Sequence, residues 1–199
     1  VRTKKVKQAK ETIESSDLII QTPRIIKSDL PIVLEIGSGK GKFIVELASL
    51  HQDKYFVAME RDINVCYRIL EKQQDLKLPN LAIIPIDAKD LNLYFNPNSV
   101  EKIYLNFSDP WPKARHHKRR LTAESFLKIY ESILTTDGEL EFRTDHLDLF
   151  NDSIEYLNTS SFKITWQSLD APLRTAVSEY ELKKRENGPI YGFIARRQV

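Results

Sequence analysis

Between residues 31 and 50 the chain reads strand, glycine turn, helix, and this stretch limits what the remainder can be. Pro31-Ile-Val-Leu-Glu-Ile36 is a short apolar run that stops at Gly37-Ser-Gly-Lys-Gly41. Phe43-Ile-Val-Glu-Leu-Ala-Ser-Leu50 then continues with apolar residues at helical spacing. Glycines in such a turn let the backbone approach a ligand closely, and the helix that follows offers unpaired N–H groups. The spacing is G-x-G-x-G (Gly37, Gly39, Gly41), not the dinucleotide pattern G-x-G-x-x-G, and Lys40 and Lys42 fall in the wrong places for a P-loop.

The alternation repeats. Tyr55 to Glu60 predicts a second strand, and Ile63 to Leu76 a helix with Ile63, Cys66, Tyr67 and Leu70 recurring at three or four. Leu81 to Ile86 predicts a third strand ending at Asp87, and Val100 to Leu105 a fourth. Thr122 to Leu134 reads as a helix capped by Thr122, Asp137-Gly138 as a turn, and Glu139 to Arg143 as a strand. His146 to Asn158 has helical spacing, Phe162 to Gln167 is β-rich, and Pro189 to Arg196 is a candidate terminal strand. Strands alternating with helices imply an α/β fold with a mainly parallel sheet covered on both faces.

A length of 199 residues suits one such domain and excludes two independent enzymatic ones. Residues 1–30 are polar, with Arg2, Lys4, Lys5, Lys7 and Lys10, and are expected to form a basic arm of uncertain order, leaving 31–199 as the single domain. No secretory leader and no membrane-length apolar run is readable, so the expected location is cytoplasmic. The lone Cys66 has no partner for a disulfide or a zinc site and is expected to be a small core residue. Thirty basic residues nearly cancel 28 acidic ones, so the placement of charge is more informative than its sum. Basic residues gather at the N-terminus, at Arg115 to Arg120, at Lys183 to Arg185 and at Arg196 and Arg197.

Acidic residues sit at the ends of successive strands: Glu35 in the first, Glu60 ending the second, Asp87 ending the third. In open α/β sheets ligands bind beyond the carboxyl ends of the strands, so these carboxylates can converge on one crevice. Glu60, about 25 residues after the turn begins, is placed for ribose hydroxyls. Asp87 can accept from an adenine amino group with Ala88 beside the ring, and Glu35 can serve a cationic group. An adenosine joined to an amino-acid sulfonium fits this set better than a dinucleotide, and S-adenosylmethionine is the expected cofactor, with S-adenosylhomocysteine as product.

Asn106-Phe-Ser-Asp-Pro-Trp-Pro-Lys113 follows the fourth strand, where the strand order should reverse. Pro110 and Pro112 fix φ and bias the residues before them away from the α region, so Asp109 and Trp111 are expected on a stiff extended segment. A carboxylate beside an aromatic plane can hold a flipped purine by its edge and its face. Arg115-His-His-Lys-Arg-Arg120, six basic or titratable residues in succession, would attract phosphates. His116 and His117 are adjacent and lack the i, i+4 geometry of a zinc helix, so no metal is expected.

These segments together resemble the signature of bacterial tRNA (guanine-N7-)-methyltransferases, which methylate the variable-loop guanosine at tRNA position 46. The match runs from Glu35-Ile-Gly-Ser-Gly-Lys-Gly41 to Ser178-Glu-Tyr-Glu181. The resemblance implies a Rossmann-like class I S-adenosylmethionine-dependent methyltransferase fold with a seven-stranded sheet. It assigns Glu35, Glu60, Asp87 and Asp109 to the methyl donor or its surroundings, with Asp109 as the catalytic residue. Lys113, Asp145 and the stretch Ser178, Glu179, Tyr180, Glu181 go to the substrate, and Arg115, His116, His117, Lys118, Arg119 and Arg120 to RNA. The chain departs from the family at His146, often Asn, and at Ser178, often Thr, which keeps a hydroxyl. The partner implied is tRNA. No obligatory protein partner is evident, and monomer and homodimer both stay open. Two other functions are compatible with the same fold: a methyltransferase for another substrate, and a non-catalytic RNA-binding or assisting subunit.

Overall fold

The strand β1 (Ile32–Ile36) is buried along its whole length, and its side chains divide between two cores. Ile32, Leu34 and Ile36 face one core and Val33 the other, as the two-residue period of a strand requires. The same division runs through β2 (Tyr55–Met59), with Val57 and Met59 on the first side and Phe56 and Ala58 on the second. It continues in β3 (Leu81–Ile84). Strands apolar on both faces must be covered on both. α1 (Lys42–Leu50) and α2 (Ile63–Leu76) cover the second face through Ile44, Val45, Cys66, Ile69 and Leu70. α3 (Glu124–Ile133) and α4 (Leu147–Asn158) cover the first through Leu127, Tyr130, Leu149 and Phe150.

β4 (Val100–Asn106), β5 (Leu134–Thr144), β6 (Phe162–Ser168) and β7 (Tyr191–Arg197) complete a seven-stranded sheet in the order β3-β2-β1-β4-β5-β7-β6. The first five strands are parallel; β7 is antiparallel to both β5 and β6. A short α5 (Glu179–Arg185) precedes β7. Because β1 pairs with both β2 and β4, the chain reverses its direction of travel across the sheet there, and the crevice expected at such a switch point opens between the carboxyl ends of β1 and β4.

The computed structural model describes residues 12–13 and 15–198. Within them the expected arm is corrected: Ile13, Ile19, Ile20 and Ile26 are buried core residues. The chain at Leu18 to Ile20 exchanges backbone hydrogen bonds with Ile83, adding a short parallel bridge to the edge of β3. Arg2, Lys4, Lys5, Lys7 and Lys10 lie outside the described residues.

Two element expectations also change. α3 begins at Glu124, and Thr122, buried outside it, shares a hydrogen bond with Ser153 Oγ at 2.7 Å and caps nothing. Asp137 and Gly138 lie inside the long β5, at an excursion where its pairing with β4 jumps from Val100↔Leu134 to Lys102↔Glu139. A turn signal inside a strand pattern has become a bulge. Among the described residues no helix is long and apolar enough to cross a membrane.

Candidate active site

The turn after β1 is built by φ values that favour glycine: 77° at Gly37, 52° at Gly39 and 75° at Gly41. Gly41 has a further reason to be glycine, since a Cβ there would lie 2.9 Å from the Ile69 side chain and push α2 away. Gly37 and Gly39 face open space. The turn is held from the next strand: the amides of Gly37 and Ser38 donate to Met59 O, and Gly39 N donates to Glu60 Oε2 at 3.1 Å. Glu60 Oε1 accepts from Asp62 N. Each oxygen keeps a further lone pair, so Glu60 is oriented before any ligand arrives.

Beside this turn lies a crevice of about 610 Å³ whose walls include Gly37, Glu60, Asp87, Ala88, Asp109 and Trp111. Ile36, Met59, Leu121 and Phe126 supply its apolar surface. Asp87 caps the short 3-10 helix Ala88–Leu93 through Lys89 N, and Arg61 Nη1 stands 3.8 Å from its Oδ2. The three strand ends thus deliver one acidic rim, two of whose members, Glu60 and Asp87, line the crevice.

Glu35 is set deeper. It is 2% exposed and accepts from Asn106 Nδ2 at 2.8 Å, while its Oε2 is buried with no partner among the described residues. Burial pushes its carboxyl up to about 7 despite the lowering effect of Asn106 and Ser38. An orphaned carboxylate oxygen is costly unless something satisfies it, and a cationic group does so best. The donor set, with carboxylates for hydroxyls and an ammonium and apolar walls for an aromatic ring, therefore fits S-adenosylmethionine.

The loop from Asn106 to Lys113 is stiff, though not extended throughout. Phe107 and Trp111 have φ of 54° and 41°, left-handed values that cost bulky residues about 1–3 kcal/mol each and that cluster at functional sites. The expected extended conformation at Trp111 is thus overturned; contacts outweigh the pre-proline bias. Trp111 meets the edge of His116 at 5.6 Å between ring centroids, and the Arg119 guanidinium lies 5.0 Å over its ring. Behind the loop, Arg120 donates Nε to Pro110 O at 2.8 Å and pairs with Asp152. Asp109 is exposed on the crevice wall, with no hydrogen-bond partner among the described residues.

The expected RNA run divides. Arg115, Lys118 and Arg119 are exposed on the 3-10 helix Ala114–Arg119, with Lys118 and Arg119 lining the crevice. His116 and His117 are half-buried, and His117 Nδ1 is 4.0 Å from Asp152 Oδ2. Arg120, 2% exposed, turns Nε and Nη1 inward to Pro110 O, Asp152 and Tyr156 and so holds the loop in place instead of facing a phosphate.

The expected substrate set divides as well. Ser178 is the N-cap of α5, its Oγ accepting from Glu181 N at 3.0 Å. Glu181 is completely buried and paired with Arg143, Arg174 and Arg185, so it cannot meet a base edge without breaking that cluster. Asp145 pairs with Lys184 at 2.7 Å. Tyr180 and Glu179 are exposed, the Tyr180 ring lying 5.1 Å from Phe107 and so against the loop, and Lys113 is exposed. His146 sits exposed at the N-cap of α4 with no side-chain cap bond. Sequence reasoning missed Arg174, Arg143 and Arg61. Nothing local marks Arg174, whose hydrogen-bond partners lie up to 68 residues away. No group of three or more potential metal ligands converges among the described residues.

Comparison with known proteins agrees with this arrangement. A family model described as a putative methyltransferase matches residues 29–191. A tRNA (guanine-N(7)-)-methyltransferase of Macrococcus caseolyticus is 41% identical over 192 residues, covering 87% of this chain and 91% of that protein. The Staphylococcus haemolyticus protein of the same name is 46% identical over 171 residues, covering 83% and 80%. Among solved structures, an rRNA methylase from Streptococcus thermophilus superposes with a TM-score of 0.60 at 16% identity, covering 86% of this chain and 89% of that one. A SAM-dependent methyltransferase from Aquifex aeolicus gives 0.62 at 13%, covering 84% and 82%. Those two likenesses speak for the fold. Sequence identity above 40% across most of both chains speaks for more, and places this chain in the family of tRNA (guanine-N(7)-)-methyltransferases.

Proposed function

We propose that this protein transfers the methyl group of S-adenosylmethionine to N7 of a guanosine in tRNA, and that the target is the variable-loop guanosine at position 46. The observation that carries the reading is the position of Asp109 and Trp111: one stiff loop puts both on the wall of the crevice that Glu60 and Asp87 also line, together with the exposed Lys118 and Arg119. The variable-loop assignment rests on family membership. One chain supplies both the donor crevice and the basic surface, which supports a reaction without an obligatory protein partner, as monomer or homodimer, and the protein works in the cytoplasm with its tRNA.

When bound, the cofactor supplies a methyl group made electrophilic by its sulfonium. Guanine N7 carries an exposed lone pair and has no proton to lose before attack, so the residues here serve to align and to stabilise. Trp111 and Tyr180 offer aromatic faces for a base removed from its stack, and Lys118 and Arg119 hold the flanking phosphates. Asp109 faces the purine and stabilises the positive charge that develops on it, an electrostatic role that needs no proton transfer.

Removing that charge with Asp109→Ala is expected to slow single-turnover methylation by about a hundredfold or more while tRNA still binds. The measurement is transfer of labelled methyl to unmodified tRNA, followed by mapping of the modified nucleoside. Near-normal turnover by the variant would remove Asp109 from the reaction, and methyl transfer to no tRNA by the unaltered protein would overturn the function itself.

A further inference from the structure

Arg174 lies in the loop between β6 and α5, and its guanidinium gathers groups that the chain brings from far apart. Nη1 donates to Glu141 Oε1 at 3.0 Å; Nη2 donates to Asn106 Oδ1 at 2.9 Å and to Glu181 Oε2 at 3.2 Å. The guanidinium also stacks 4.3 Å from the Phe43 ring centroid on α1. Asn106 in turn donates Nδ2 to Glu35 Oε1. A continuous path therefore runs Glu35, Asn106, Arg174, Glu181, from beneath the glycine turn to the inner side of α5. The backbone just ahead of α5 is tied to the same region by Lys42 Nζ, which donates to Val177 O at 2.8 Å.

The chemistry of the path gives it a direction. An amide side chain can present either end, but a guanidinium only donates, so Arg174 obliges Asn106 to turn its oxygen toward Arg174 and its NH2 toward Glu35. That orientation engages Oε1 of Glu35 and leaves Oε2 buried and free to accept. Turned the other way, Asn106 would set oxygen against oxygen, and the Glu35 carboxyl would hold its proton to relieve the repulsion, losing the charge that a cation seeks. The same guanidinium fixes Glu181, and with it the first turn of α5 where Ser178 caps and Tyr180 rests on Phe107.

We propose that Arg174 is a positioning residue that couples the methyl-donor carboxylate Glu35 to α5, so that filling the donor site steadies the segment that meets the tRNA. The proposal rests on the crevice being an S-adenosylmethionine site. By linkage, the coupling must be seen from both ends.

Arg174→Met tests it, because the carboxylates it leaves keep other partners: Glu141 retains Lys102, and Glu181 retains Arg143 and Arg185. Calorimetry with S-adenosylmethionine alone is expected to show affinity reduced about tenfold in Arg174→Met and in Asn106→Ala, with the double variant no weaker than either. In the unaltered protein, donor slows amide exchange in Glu179–Arg185; in Arg174→Met it does not. Should Arg174→Met fail to fold, Arg174→Lys, which keeps the charge but gathers its donors on one nitrogen and loses the guanidinium's planar fork, carries the same two measurements. Unchanged donor affinity in the variants, or equal slowing of exchange in α5 without Arg174, overturns the coupling. An unaltered protein that gives no heat with S-adenosylmethionine overturns the crevice reading and the coupling with it, and is told apart because the reference protein itself is silent.

Discussion

At the scale of single residues, Glu35 shows how a charge can be held ready at a cost in stability. Burial raises its carboxyl from 4.5 to about 7, so across that interval the folded chain keeps a proton that the unfolded chain has released. Stability without ligand is therefore full below pH 4.5 and declines as pH rises toward 7, by roughly 3 kcal/mol if the whole shift is expressed. Glu35→Gln, which cannot ionise, is expected to lose that part of the decline and to be more stable than the parent at pH 8. Its affinity for the cationic donor should fall. Denaturant titrations at intervals from pH 5 to 8 measure this, and an identical pH slope in parent and variant would sink it. Phe107 and Trp111 illustrate the same compromise in the backbone, since left-handed φ at bulky residues persists only where neighbours over-determine it.

At the scale of elements, the run from Arg115 to Arg120 separates into a surface and an anchor within six residues. The 3-10 helix turns Arg115, Lys118 and Arg119 to solvent, whereas Arg120 passes beneath the loop to Pro110 O and Asp152. The two groups should respond differently to substitution. Arg120→Met is expected to lower stability by about 2 kcal/mol, less than the loss for a fully buried pair because Asp152 keeps access to water. Replacing Arg115, Lys118 and Arg119 with alanine should leave the melting temperature alone and flatten the salt dependence of tRNA binding by about one unit per lost phosphate contact. Thermal melts paired with binding across a salt series distinguish the two. A triple variant with the parent's salt slope would remove this helix from the RNA surface. The same partition applies to α5, where Glu179 and Tyr180 face outward and Glu181 is sealed among arginines.

At the scale of the molecule, the domain begins earlier than its regular pattern. Ile13, Ile19, Ile20 and Ile26 complete both cores, and the strand-like contact at Ile19 covers the edge of β3 that would otherwise present unpaired backbone groups. Ile19→Ala should accordingly cost about 2–4 kcal/mol in chemical denaturation, as for a core residue. An unchanged midpoint would return the segment to the status of an appendage. The switch point between β1 and β4 has its consequence at this scale too: it alone brings Glu35 within reach of Asn106, 71 residues on.

What was legible in the sequence was whatever depends on local order. The apolar periods located six of the seven strands to within a residue or two, and all the long helices. The glycine turn and the acidic strand ends marked the end of the sheet where the crevice opens, and the Asn106 to Lys113 loop marked one of its walls. The N-terminal isoleucines escaped because isolated apolar residues in a polar stretch carry no period. The starts of α3 and β5 were misjudged because Thr122 found a partner on α4 and a bulge absorbed Asp137-Gly138. Only the tertiary structure decided which charges are spent inside the protein and which are left for a ligand. Arg119 and Arg120, like Glu179 and Glu181, are indistinguishable as letters; whether each meets water or a buried counter-charge depends on strands and helices that arrive from elsewhere in the chain.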